Sequence, residues 1–301
     1  MLPVLFSIGP ITISSFGLFL SLGFIYGSFL VWRLARAWEL SEEKALDLII
    51  LTFFGGLIGA RLFFVALNFE FFANDLFKIF LATKYPGLSF WGGFLGGWLT
   101  LFIFARRLKF NFLQIADLAA VGFLGGLILA DIGCFLGGCG VGKVSNAFFA
   151  VPIVGLVGKR FPVQIFEAVI TGLILLRIWP AATHFHNFGK VVSLSLISLG
   201  LVKLVTEYFR AAHQGGYFLS LAMFALGMVM YYSSSNKSPV ADAKSLFRFI
   251  LGFFIGTKSW NLVLEGLKKN WYNFRISFNW KLKKSFKVLR RARVKPTPRD
   301  I

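Results

Sequence analysis

Two short stretches of the sequence place ionisable side chains at helical spacing in otherwise apolar surroundings. In Lys203-Leu204-Val205-Thr206-Glu207-Tyr208-Phe209-Arg210, the residues Lys203, Glu207 and Arg210 fall at i, i+4 and i+7, one face of a helix. In Arg160-Phe161-Pro162-Val163-Gln164-Ile165-Phe166-Glu167, Gln164 and Glu167 are spaced i, i+3, and Pro162 suits a first helical turn. Two polar faces at one depth point either to a shared site or to an ion-pair network tying two helices together. As a site, the cations suit a phosphate, while Glu167 and Glu207 suit orienting them or acid-base work.

Three glycine-rich stretches add to this set. Gly55-Gly56-Leu57-Ile58-Gly59-Ala60-Arg61 puts small residues beside one arginine, which fits close packing around a buried charge or a snorkelling Arg61. Ser89-Phe90-Trp91-Gly92-Gly93-Phe94-Leu95-Gly96-Gly97 lets a backbone approach a ligand or a neighbouring helix. The run from Asp131 to Lys143 holds backbone amides that suit an anionic headgroup, with Lys143 as countercharge. Cys134 and Cys139 lie within it, and their C-x4-C spacing lacks the second pair or nearby histidines of a zinc site. A disulfide and two free packing thiols both fit that spacing.

The elements that must position these groups are legible from composition. With 57% hydrophobic residues and 38 Phe, the chain has more apolar surface than one soluble core can bury, so lipid is its natural solvent. Apolar runs near 11–32, 47–67, 88–105, 113–135, 162–179, 191–208 and 216–232 each approach the length that spans a bilayer core. The expected fold is an all-α polytopic membrane protein of about seven transmembrane helices. Residues 1–7 lack the positive n-region of a signal peptide, so the first span is expected to be retained.

Arg33, Arg36 and Lys44 in the first connection and Arg106, Arg107 and Lys109 in the third place the N-terminus outside and the C-terminus inside. Lys143, Lys159 and Arg160 run against that bias and are read as functional charges. Residues 1–232 form the expected membrane domain and 233–301 a basic, aromatic cytoplasmic tail. Much of the net charge of +19 sits in that tail, where Trp260, Trp271, Trp280 and several Phe alternate with Lys and Arg. Beside a membrane, such a segment suits the interface of an anionic leaflet better than a nucleic acid; a solvated, disordered tail is the plain alternative.

The ordered motifs resemble the prolipoprotein diacylglyceryl transferase family over about residues 5–232. The resemblance is carried by Phe6-Ser7-Ile8-Gly9-Pro10-Ile11, Gly59-Ala60-Arg61, Leu88-Ser89-Phe90-Trp91-Gly92-Gly93 and Ile132-Gly133-Cys134-Phe135-Leu136-x-Gly138-Cys139. Arg160-x-Pro162-x-Gln164-x-x-Glu167 and Glu207-Tyr208-Phe209-Arg210 complete it. It implies a multi-pass protein of the bacterial plasma membrane that moves the diacylglyceryl group of phosphatidylglycerol to the lipobox cysteine thiol of a prolipoprotein. A thioether forms and glycerol phosphate leaves, with no metal or soluble cofactor. The implied partners are phosphatidylglycerol and other anionic lipids, and prolipoprotein signal peptides. On that reading Glu167 and Glu207 are the expected catalytic residues, orienting the cations or serving as acid-base groups, and Arg61, Lys143, Arg160, Gln164, Lys203 and Arg210 are the residues expected to bind substrate.

Four positions depart from the family pattern. Trp91 stands where the family has a histidine and cannot accept a thiol proton, and Phe16 replaces a tyrosine. Asp131 inverts the charge of an expected arginine, and Lys203 replaces a later one. Two readings remain at this point: an active transferase with a divergent site, and a catalytically silent relative that binds lipid or scaffolds partners. A transporter is disfavoured because the charges gather at one face and no inverted repeat is evident.

Overall fold

The computed structural model describes residues 4–8, 11–73, 75–79, 85, 87–153, 155–184, 186–211, 216–235 and 244. Among the described residues seven long helices carry the architecture: α1 Ser15–Ala37, α2 Glu42–Leu67, α4 Phe90–Arg107, α5 Phe112–Gly137, α6 Val163–Thr183, α7 Lys190–Tyr208 and α8 Gly216–Ser234. A short helix, α3 Phe69–Ala73, and a 3-10 turn, Leu76–Ile79, follow α2. The seven expected spans each coincide with one long helix. Six of these helices are long and apolar enough to cross a membrane. The seventh, α4, has 18 residues, and its four glycines and terminal Arg106 and Arg107 dilute its apolar character.

The first span needs a correction at its start. Ile11–Ser14 is a strand, β2, paired antiparallel with β1 Val4–Ile8, and the helix begins only at Ser15. The β-branched Ile11-Thr12-Ile13 favours a strand, and Ser14 then caps α1 by accepting from the amide of Gly17 at 3.1 Å. The basic tail lies, apart from Ser233, Ser234, Ser235 and Lys244, outside the described residues, and so does the interfacial role expected of it; helix α8 runs on through Ser234, two residues past the expected boundary.

Large apolar side chains such as Ile25, Ile58, Leu62, Leu99, Leu173 and Leu176 point away from the bundle, as lipid contact requires. The helix contacts are made by small residues instead, because in lipid the association rests on close packing rather than on hydrophobic burial. Helices α2 and α4 meet through their paired glycines: a Cβ on Gly59 would lie 2.6 Å from the carbonyl oxygen of Gly92 and 2.8 Å from Cα of Gly96. Helices α1 and α5 meet the same way, Gly23 on Gly126 and Gly27 on Gly122. Both glycine stretches singled out in α2 and α4 are thereby accounted for by helix packing. Gly59→Leu should force this pair apart and lower stability by about 1–3 kcal/mol or more, read as the unfolding temperature in detergent. Gly172→Ala, whose Cβ would meet only Ile128 Cδ1 at 3.9 Å, should leave it unchanged.

At the other end of the bundle, α5 holds the start of α7. Fully buried Asp117 accepts from the amides of Gly189 and Val192, both at 2.7 Å, satisfying donors that a helix N-terminus leaves open. Nε2 of His186 lies 3.3 Å from Oδ2 of the same carboxylate. Hydrogen bonding to Asp117, working against burial, raises the pKa of His186 above its ordinary 6.5. A raised folded-state pKa means that protonation stabilises the fold fully below pH 6.5 and that this contribution is lost as pH rises through the raised value. The unfolding temperature should therefore fall over that window in the wild type and stay flatter in His186→Gln.

Candidate functional site

Helix α5 ends at Gly138, in the left-handed region at φ 76°, where a residue without Cβ is favoured. The chain then turns back at Cys139, whose amide donates to the Cys134 carbonyl at 3.0 Å, and Cys134 and Cys139 are joined as a disulfide. The following loop is stitched to the end of α7: the Lys143 amide donates to the Phe209 carbonyl at 2.8 Å, and the Ala211 amide to Val141 at 2.9 Å. Strands β3 Val151–Pro152 and β4 Lys159–Arg160 close the loop, and Pro162 is the N-cap of α6 rather than a first-turn residue. Stacked rings of Phe166, Phe161 and Phe209, 4.9 and 4.6 Å apart, join α6 to the end of α7.

This assembly brings the two polar helix faces together. Glu167, 1% exposed, accepts from Nζ of Lys203 at 2.8 Å, from the Thr206 hydroxyl at 2.6 Å and from Nη2 of Arg210 at 2.9 Å. Arg210 also approaches Oε2 of Glu207 through Nε, at 3.4 Å. Burial works against the charge on Arg210, but Glu167, and after it Glu207 and Asp131, hold its pKa above the ordinary value and keep it charged. Lys203 sits 4.2 Å over the ring of Phe90, which packs edge-on against buried Trp91. One turn earlier on α6, Gln164 donates to the carbonyls of Cys139 and of Gly140, the latter at 3.0 Å, and so fixes the turn rather than facing the cations.

A cavity of about 760 Å³ runs from this cluster between α1, α2, α4, α5 and α7. Its walls are apolar, among them Phe24, Phe53, Phe94, Trp98 and Leu196, and its polar end is lined by Asp131, Lys203, Glu207 and Arg210. That volume is in the range of small-ligand sites, and the combination suits an amphiphile: chains against the walls, a charged head at the cations. Of the two carboxylates expected to act in chemistry, Glu207 faces the cavity, while Glu167 stands behind the cations with its oxygens occupied by donors.

The remaining residues singled out in the sequence stand elsewhere. The guanidinium of Arg61 donates to the carbonyls of Lys78, Ile79, Tyr85 and Gly87 at 2.8–3.1 Å and lies against the Phe72 ring, so it organises the connection after α2. Lys143 is exposed, with Nζ 4.5 Å over Tyr208. Arg160 donates to the Gly142 carbonyl at 3.3 Å and braces the loop. Sequence reasoning passed over two residues. Thr206, one turn from Lys203 on the same helix face, was legible as a hydroxyl in an apolar run, and Asp117 as a carboxylate inside a span.

A sequence model of the prolipoprotein diacylglyceryl transferase family matches residues 3–233. The chain belongs to this family. Among its curated relatives, a phosphatidylglycerol–prolipoprotein diacylglyceryl transferase of Rickettsia rickettsii is 32% identical over 255 residues, which cover 78% of this chain and 97% of the relative. The enzyme of that name from Geobacter sulfurreducens is 32% identical over 250 residues, covering 78% and 96%. That from Idiomarina loihiensis is 30% identical over 256 residues, covering 79% and 94%. The chain is thus an all-α, multi-pass membrane member of the diacylglyceryl transferase family, and the resemblance read from its motifs is correct.

Proposed function

We propose that the protein transfers the diacylglyceryl group of phosphatidylglycerol to the cysteine thiol of a prolipoprotein, in the bacterial plasma membrane with its N-terminus outside. The observation that carries this reading is the apolar cavity ending at Lys203 and Arg210. The acyl chains lie along its walls and the phosphate faces the two cations, which stabilise charge developing on the leaving phosphate. The thiolate sulfur attacks the glycerol carbon that bears the phosphate, a C–S bond forms, the C–O bond to phosphate breaks, and glycerol phosphate departs. Glu207, which faces the cavity, accepts the thiol proton and returns it to the leaving phosphate. Glu167 positions the cations through its bonds to Lys203 and Arg210.

A second reading, a silent relative that binds lipid, is favoured by two particular residues: Trp91 carries no basic nitrogen, and Asp131 brings a carboxylate to the cations' end of the cavity. Expression in a strain depleted of its own transferase separates the two. Under the transferase reading growth is restored and the acceptor gains one diacylglyceryl mass at its cysteine. An unmodified acceptor, with the protein present in the membrane, leaves the lipid-binding reading.

A further inference from the structure

The loop between α5 and α6 carries its apolar side chains in two directions. Ala150 and Ile153 are buried, and Phe149 packs edge-on against Phe161 and Phe166 at 5.3 and 5.4 Å. Phe148 and Val157 turn outward instead, 98% and 91% exposed, and Val144 and Leu156 of the same loop are exposed with them. Gly155 and Gly158, in the left-handed region at φ 80° and 82°, bracket Leu156 and Val157 and turn the chain at this tip. A Cβ on Gly158 would lie 3.5 Å from Cγ1 of Val144, so Val144 stands beside the tip. Large apolar side chains gathered outward on a loop that has its own packed interior mark an interaction surface.

The same loop is one-sided in charge. Residues 138–162 contain Lys143, Lys159 and Arg160 and neither Asp nor Glu, and both lysines are exposed. The cations gather around one residue. Gly142 bridges to Arg210, its carbonyl accepts from Arg160, and the amide of Lys143 next to it donates to the Phe209 carbonyl. The loop's positive charge is therefore built onto the backbone that carries Arg210, at the charged end of the cavity.

The neighbouring elements fix the level of the loop. It follows the end of α5, precedes the start of α6 and is bonded to the end of α7, so it lies where the apolar helices leave the bilayer core. Tyr208, exposed at the end of α7 beneath Nζ of Lys143, is a residue type enriched at that boundary. The contact of Phe149 with Phe166 continues into the exposed Val169 and Leu173 of α6, a face that meets lipid. Outward apolar side chains at this level, flanked by lysines in a segment without carboxylates, complement a leaflet that carries negative headgroups.

We propose that the loop docks into the bilayer leaflet on the side of the cavity's charged end, with Phe148 and Val157 among the acyl chains and Lys143 and Lys159 on anionic headgroups. The partner is a lipid surface. The two lysines raise the local concentration of anionic lipid beside Arg210, and under the transfer reading that lipid is the donor. The docking itself does not depend on that reading.

The test uses the full-length protein in nanodiscs of equal phosphatidylglycerol and phosphatidylcholine. The chain's two cysteines are joined as the disulfide, so a single introduced cysteine carries a nitroxide spin label at that position alone. Labels at Phe148→Cys and Val157→Cys should collide with oxygen in preference to a water-soluble nickel chelate. In this they should match Leu173→Cys on the lipid face of α6 and differ from Ser41→Cys in the exposed connection after α1. Nickel access like that of Ser41→Cys at either loop position overturns the docking. Protection that appears only when a lipobox peptide is added assigns the surface to a protein partner and overturns it equally.

The lysines are tested by native mass spectrometry of the lipids retained from the same mixture, with identical acyl chains. Lys143→Gln combined with Lys159→Gln should lower the ratio of phosphatidylglycerol to phosphatidylcholine about fivefold or more. An unchanged ratio overturns the contact with anionic headgroups. If the wild type modifies no acceptor while both loop labels remain in lipid, the transfer reading fails and the docking stands.

Discussion

Glu167→Ala should lower the stability of the membrane domain by about 3–5 kcal/mol, the usual consequence of removing one member of a buried charge network. Its carboxylate accepts from Lys203, Thr206 and Arg210, and Lys203 is itself a buried residue. Removing the acceptor leaves two cations facing each other across a desolvated gap, and the contact between α6 and α7 loses its polar link. Arg36→Ala is the comparison: its 3.8 Å pair with Glu42 is exposed to solvent, where such pairs contribute about 0–1 kcal/mol. Chemical unfolding of both variants in the same detergent gives the contrast. Equal, small effects would mean that the cluster contributes little to holding α6 against α7. Lys203 and Arg210 would then be held by their own helix end and by the loop bonded to Phe209 and Ala211.

Asp131→Arg should increase affinity for phosphatidylglycerol at least tenfold. The substitution removes a carboxylate from the cavity's charged end and adds a guanidinium there, and a hydrogen bond to a charged group contributes about 1.5–3 kcal/mol, or tenfold to about a hundredfold. Trp91→His, introduced with it, supplies a ring nitrogen able to accept the thiol proton, and the double variant should raise thioether formation on a lipobox peptide above that of the wild type. Trp91 lines the same cavity and packs edge-on against Phe90, 5.1 Å away, the ring that Lys203 covers, so the new imidazole falls beside the cations. Unchanged lipid affinity in Asp131→Arg would place the headgroup away from this end, and unchanged transfer in the double variant would locate the limit on chemistry elsewhere in the site.

Both substitutions act on residues whose importance was visible in the sequence and whose roles were not. Glu167 and Glu207 carry the same side-chain chemistry and the same resemblance to the family's motifs, yet one stands behind the cations and the other faces the cavity. Arg61 reads as a functional charge because it follows glycines in an apolar run, but four backbone carbonyls of the connection after α2 take up its donors. No local pattern announces such partners, because carbonyls are present at every residue and only the path of the chain decides which of them converge.

The spans, apart from the start of the first, the helical faces bearing Lys203, Glu207 and Arg210, and the glycine stripes of α2 and α4 were set by the sequence alone. Apolar length and residue spacing are properties of the chain, and a bilayer permits little but a helix to satisfy its backbone. Tertiary structure decided the rest: that Thr206 joins the cluster, that Asp117 caps α7 across more than seventy positions of chain, and that Asp131 ends in the cavity with the cations. Those outcomes depend on how α5, α6 and α7 pack. The closeness of that packing is governed by distances between backbones, and no single helix's sequence specifies where its neighbour's donors will lie.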